Sequence, residues 1–283
     1  MIHPDTKLDY VHLTVADLTK SLPFYQQVLG FQVHRRENGT VALGAGEQDI
    51  LLLTENPDAK PLGRTAGLYH FAVLVPTRVE LARVLKSIAD QQVPVSGFAD
   101  HLVSEAIYLP DPDGNGIEIY RDRPRTNWYD ASGKLIMGTE PLDLDGLVAE
   151  LENVEKGWTG LAKGTVLGHM HLKVSNMSSA TKFYTDLIGL NMMMSMGSAG
   201  FVSAGGYHHH LGFNTWESNG APSQPREGIG LRDFVIHLPN AEELSRITDR
   251  IRHAGFDLEE TEAGLLVRDP SDNGVVLTTG ATG

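Results

Sequence analysis

His12–Phe31 reads HLTVADLTKSLPFYQQVLGF, and the chain repeats it at His171–Leu190 as HLKVSNMSSATKFYTDLIGL. Phe24-Tyr25 falls on Phe183-Tyr184, and Gly30 on Gly189. The strand that leads into the first copy, Leu8–Val15, alternates: Tyr10, His12 and Thr14 face one way and Val11, Leu13 and Val15 the other. Asp17 then caps a helix whose apolar positions Leu18, Leu22, Val28 and Leu29 follow helical spacing, and Gly30 stops it. Short β-like segments at Phe31–Arg35, Thr40–Leu43 and Asp49–Thr54 complete one βαβββ unit.

The pattern returns after a Pro- and Gly-containing loop. Leu68–Val75 is a strand, Thr77 and Glu80 form a capping box, and Leu81, Val84, Leu85 and Ile88 line a helical face. Segments near Pro94–Phe98, Glu105–Leu109 and Gly116–Tyr120 finish the second unit. Two more blocks repeat in order: GLYHFAVLVP (Gly67–Pro76) as GLRDFVIHLP (Gly230–Pro239), and DPDGNGIEI (Asp111–Ile119) as DPSDNGVVL (Asp269–Leu277). Three blocks at nearly constant offset mark a tandem duplication. The expected fold is α+β: four βαβββ modules paired into two domains with curved mixed sheets and helices outside. The expected boundaries are residues 1–122 for the first domain, 123–165 for a linker holding a short helix at Leu144–Leu151, and 166–283 for the second domain.

Composition narrows the function classes. A formal charge of -13 leaves nothing to neutralise phosphates, so nucleic acid is not expected as a partner. The absence of cysteine excludes disulfides and thiolate sites. No apolar run reaches membrane-spanning length, and MIHPDTKLDY does not resemble a signal peptide, so a cytoplasmic protein is expected.

The chemistry concentrates in Asp100–Arg121, DHLVSEAIYLPDPDGNGIEIYR, a strand, a tight turn and a strand. Glu118 sits between Ile117 and Ile119, and a buried carboxylate there needs a partner such as a metal ion. His12 and His70 lie on the first strands of the two N-terminal units; in the second half Asp233 stands opposite His70 and Val276 opposite Glu118. His12, His70 and Glu118 are therefore the expected metal ligands, a 2-His-1-carboxylate set suited to Fe(II), with Mn(II) as the alternative. Leucines at the centre of DILLLT (Asp49–Thr54) argue against a fourth ligand. The run Tyr207-His208-His209-His210 is expected in the last strand of the third unit, with His208 and His210 on one face and His209 on the other. With His171, it is the candidate for a secondary metal site in a vestigial second cup. Met192-Met193-Met194-Ser195-Met196 is expected as a strand with buried thioethers.

These blocks, together with SAGGYHHHLGFNTW, resemble the vicinal oxygen chelate superfamily of glyoxalases, resistance proteins and extradiol dioxygenases. The resemblance runs over almost the whole chain and is greatest to the two-domain catechol 2,3-dioxygenase group of Bacillus type. His101, Ile107-Tyr108, Asp111-Pro112-Asp113-Gly114 and Glu118 match the extradiol signature, with Ala99 atypical at its leading position. The resemblance implies Fe(II) on His12, His70 and Glu118, Tyr108 bonded to a substrate oxygen, and His101 stabilising the bound diol. It implies a small aromatic diol and O2 as substrates; the sequence leaves the oligomeric state open and is compatible with a pairing of protomers. The rivals are a glyoxalase-type isomerase and a non-catalytic binding or resistance protein. Two departures stand out: the complete triad is N-terminal, and Thr54–Tyr69 lacks the acid/base His that usually precedes the second metal His.

Overall fold

The computed structural model describes residues 1–61, 63–152, 154 and 157–280. The first unit is β1 (Lys7–Val15), α1 (Leu18–Pro23), β2 (Gln32–Glu37), β3 (Thr40–Ala45) and β4 (Gln48–Glu55). The second is β5 (Gly67–Leu74), α2 (Arg78–Asp90), β6 (Gly97–Asp100), β7 (Ser104–Pro110) and β8 (Gly116–Asp122). The third is β9 (Val166–Lys173), α4 (Met177–Lys182), β10 (Asn191–Ser195), β11 (Ala199–Ser203) and β12 (Leu211–Asn214). The fourth is β13 (Gly230–His237), α5 (Ala241–His253), β14 (Glu259–Thr261), β15 (Gly264–Arg268) and β16 (Gly274–Thr278). The helix of each unit is capped by the side chain before its first turn: Asp17, Thr77, Asn176 and Asn240.

The sheets do not follow the halves of the chain. One runs β14-β15-β16-β13-β1-β4-β3-β2 and joins the first unit to the fourth; the other runs β10-β11-β12-β9-β5-β8-β7-β6 and joins the second to the third. A domain confined to residues 1–122 with its own complete site, and a second confined to 166–283, is therefore corrected. The physical reason lies at the edges. Each unit opens with an unpaired strand edge, and it is closed by an antiparallel first strand from the other half, β1 with β13 and β5 with β9.

Within each half a buried hydrogen bond ties the two units instead. α1 and α4 each run on into a wide π-turn, Phe24–Val28 and Phe183–Ile188, which carries a fully buried tyrosine. Tyr25 donates to Asp111 Oδ2 and Tyr184 to Asp269 Oδ2, both at 2.8 Å. The same aspartates accept the turn amides of Asp113 and Asn115, and of Ser271 and Asn273. The repeated DP turns are thus clamps between units.

The main core lies on the helix-covered faces, where Leu13, Phe71 and Phe234 of the sheets meet Leu81, Val84 and Ile247 of the helices. The connection after β8 folds back over the second sheet. It holds the 3-10 turn Arg125–Asn127 and α3 (Leu144–Ala149), as expected for the short helix, and Arg78 of α2 donates to Gly146 O at 2.8 Å. Residues 153, 155 and 156 of that connection, and 281–283, lie outside the described residues. Among the described residues no helix is long and apolar enough to cross a membrane.

Candidate metal centre

β5 and β9 run antiparallel at the middle of the second sheet, with His70 opposite His171 and Ala72 opposite His169. β8 lies parallel to β5 on its other side, placing Glu118 beside Ala72. Strand alternation then turns His70, His169 and Glu118 to one concave face. His70 Nε2 and His169 Nε2 are 3.4 Å apart, and each is 3.1 Å from Glu118 Oε2. All three residues are buried, and they are the one such convergence of three ligand-type side chains among the described residues.

The sequence-based triad is corrected at one member. His12 lies in the other sheet, opposite Asp233 on β13 and beside Leu52 on β4. Its Nε2 bonds Thr54 Oγ1 at 2.7 Å and its Nδ1 is 3.7 Å from Asp233 Oδ2. The register explains the error. His12 opposite Asp233 is the counterpart of Ala72 opposite His169, so His12 sits two residues past the ligand position. Tyr10, His70, His169 and Asp233 hold that position, each seven residues before the helix cap of its unit. Counting back from the capping residues would have found His169 in the sequence.

Electrostatics suits a cation at this point. Burial works to raise the Glu118 carboxyl, but the His169 and then the His70 imidazole outweigh it and hold the group well below its ordinary value. Burial pushes His169 down, against the pull of Glu118, so its ring stays neutral with a lone pair available. With both facing imidazole nitrogens unprotonated, they and the carboxylate oxygen repel in this dry pocket unless a positive charge, a proton or a metal ion, lies between them. Their separations match neighbouring ligands of one divalent ion, whose bonds to such atoms are roughly 2.0–2.2 Å. The residues present fit a divalent metal.

His101 and Tyr108 stand next to this group. Tyr108 is directly opposite Glu118 across β7 and β8. His101 Nδ1 donates to Gly138 O at 2.8 Å, leaving Nε2 to accept from the Tyr108 hydroxyl at 2.7 Å. Burial, reinforced by the Glu118 charge, raises the Tyr108 phenol well above its ordinary value, so it keeps its proton.

The His208–His210 run is not a strand; it is a loop entering β12, and it feeds the same cavity rather than a second cup. Asp122 Oδ1 accepts from His208 Nε2 at 2.8 Å. That leaves His208 Nδ1 to accept from His209 Nδ1–H at 2.9 Å, so the unprotonated nitrogen of neutral His209 is Nε2. Burial holds His209 well below its ordinary pKa, and its ring lies 4.2 Å from that of His169. His210 turns away and accepts from the Ala204 amide; burial pushes it down to about 4. His171 lines the cavity 4.9 Å from the His70 ring and accepts from Asn214 Nδ2 at 2.9 Å. The methionine run is corrected too: β10 is an edge strand, Met192 is 38 % exposed, and Met194 and Met196 line the cavity.

Paired βαβββ modules that fold a mixed sheet around a concave cup define a class of proteins by their fold. The comparisons place the chain within it. Residues 7–119 and 166–276 match the model of the Glyoxalase/Bleomycin resistance protein/Dioxygenase superfamily, and the chain belongs to that superfamily. The chain is 44% identical over 275 residues to the catechol-2,3-dioxygenase of Bacillus subtilis (strain 168), with 95% of each protein covered. A lactoylglutathione lyase of Neisseria meningitidis serogroup A is 33% identical over 128 residues, covering 41% of this chain and 91% of that protein. Among solved structures, glyoxalase I from Zea mays superposes with a TM-score of 0.61 at 14% identity, over 97% of this chain and 92% of that one, a likeness of fold.

Proposed function

We propose that the protein is an extradiol ring-cleaving dioxygenase that uses Fe(II) and O2 to open a catechol beside its diol. The observation that carries this reading is the buried His70–His169–Glu118 group with the His101–Tyr108 pair against it, in a chain so similar to a catechol-2,3-dioxygenase. Mn(II) suits the same donors. Fe(II) held there would supply the redox chemistry of ring opening.

The side chains divide the remaining work. Glu118, His70 and His169 would hold the ion, and the cavity beside them is the space for substrate. Tyr108, kept protonated and donating that proton to His101 Nε2, turns the lone pairs of its hydroxyl oxygen toward a diol hydroxyl, from which it accepts. His209, with Nε2 left unprotonated by the Asp122–His208 chain, receives a hydroxyl proton from the bound diol, the task for which Thr54–Tyr69 supplies no histidine. A glyoxalase-type centre adds a second carboxylate. The position related to Glu118 in the third unit is Gly212, beside His171 as Glu118 is beside Ala72, which favours three protein ligands.

The test is oxygen uptake. Protein loaded anaerobically with iron and then given catechol and air should consume O2 and form a yellow 2-hydroxymuconic semialdehyde. Isomerisation of a methylglyoxal–thiol hemithioacetal, with no oxygen consumed on any catechol, would replace this reading with the isomerase.

A further inference from the structure

The cavity over the His70–His169–Glu118 group measures about 910 Å³, in the range that takes a drug-sized ligand and far beyond the needs of one six-membered ring. Its inner end is polar, with the donors, His101 and Tyr108. Its outer end is not. Met194 and Met196 from β10 and its turn, Phe201 from β11, which pairs with Met194 across the strands, and Trp216 after β12 form an apolar collar, and Met137 from the connection also lines the cavity. Trp216 and Met196 are 49 % and 61 % exposed, so their apolar surface is open to a ligand in the cavity. Trp216 is also held in place. Its ring packs 5.5 Å from His171 and 5.3 Å from Tyr69, and its Nε1 donates to Ser198 Oγ at 3.2 Å. The aromatic wall therefore continues outward from His70 through His171 to Trp216. The charged residues along the cavity wall away from the donors are one of each sign, Lys173 and Glu217, so they create no net attraction for a carboxylated ring.

Resting on the ring-cleavage reading, we propose that the preferred substrate is a catechol carrying an apolar substituent about the size of a second ring, which lies between Trp216 and the methionines of the collar. Covering a phenyl-sized group there tightens binding by roughly 10- to 100-fold over the unsubstituted diol. The flexible thioethers adapt to different substituent shapes, while Trp216 supplies the flat, rigid face.

Anaerobic titration of the iron-loaded protein with catechol, 3-phenylcatechol and 3,4-dihydroxybenzoate, followed by Trp fluorescence and by the iron-diol absorbance, tests this independently of turnover. The expected order is 3-phenylcatechol at least about tenfold tighter than catechol, with the carboxylate weakest. Trp216→Ala should bring the phenyl-to-unsubstituted ratio close to one, and Trp216→Phe should keep most of it. Equal affinities, a preference for the carboxylate, or a ratio untouched by Trp216→Ala overturns the proposal. Failure to cleave any of the three diols in air would overturn the ring-cleavage reading instead, while the binding order would still decide the shape of the site.

Discussion

The two sheets are built from the same unit with the same register, yet one concave face holds ligands and the other is filled. In the second sheet the four related positions are His70, His169, Glu118 and Gly212; in the first they are Tyr10, Asp233, Leu52 and Val276. Tyr10, Leu52 and Val276 pack with Ala42, Val235 and Leu266 into a small apolar cluster, so the space a metal and substrate would need is occupied by side chains. Asp233, the one carboxylate left, pairs with His12. What remains near the first sheet is a separate cavity of about 620 Å³ walled by Asp9, His34, Arg35, Asp49 and His237, where Arg35 pairs with Asp49 and the two histidines hydrogen-bond the two aspartates. A duplicated scaffold keeps its clamps and caps in both copies, whereas the ligand positions are free to become core.

The comparison breaks most visibly at the ligands. His169→Ala should lose bound metal and turnover beyond the roughly 10–100-fold typical of disturbing an outer-shell partner. His12→Ala should keep about one metal per chain. Metal analysis of the two purified variants checks this, and the opposite pattern would move the site to the first sheet. Next in size are Tyr108→Phe and His209→Asn, each expected to retain metal while turnover falls by roughly ten- to ten-thousand-fold, read by single-turnover kinetics on loaded protein.

The filled face should answer in stability alone. Leu52→Ala removes a buried side chain from the apolar cluster and should cost about 2–5 kcal/mol in denaturant unfolding, with metal content unchanged. Tyr25→Phe and Tyr184→Phe test what the two sheets share. Each leaves a buried aspartate one hydrogen bond short, so each should cost about 1–3 kcal/mol by the same measurement. A large difference between them would show that the two clamps do not do equivalent work.

Much of this was legible in residue order. Local periodicity, the caps at Asp17 and Thr77, the stop at Gly30 and the repeated DP turns defined four units, because each depends on interactions within a few residues. His70 and Glu118 belong to one unit, lie on neighbouring strands, and were found for the same reason. His101 and Tyr108, named through the resemblance, lie seven residues apart and bond to each other beside that pair.

His169 was missed because its partners His70 and Glu118 lie 99 and 51 residues earlier in the chain, in another unit. The blocks related the first unit to the third and the second to the fourth, and that kinship carries no information about which units share a sheet. Pairing is decided by which exposed first-strand edges meet and which faces bury together, a property of the whole chain. A strand's alternation also tolerates a two-residue error, since Tyr10 and His12 point to the same side and differ only in depth along the cup. The sequence by itself determined the units, their number and one half of the site. The tertiary structure decided that β5 pairs with β9, which set His169 rather than His12 against Glu118, because a metal site needs its donors a few ångströms apart and only strand pairing sets that distance.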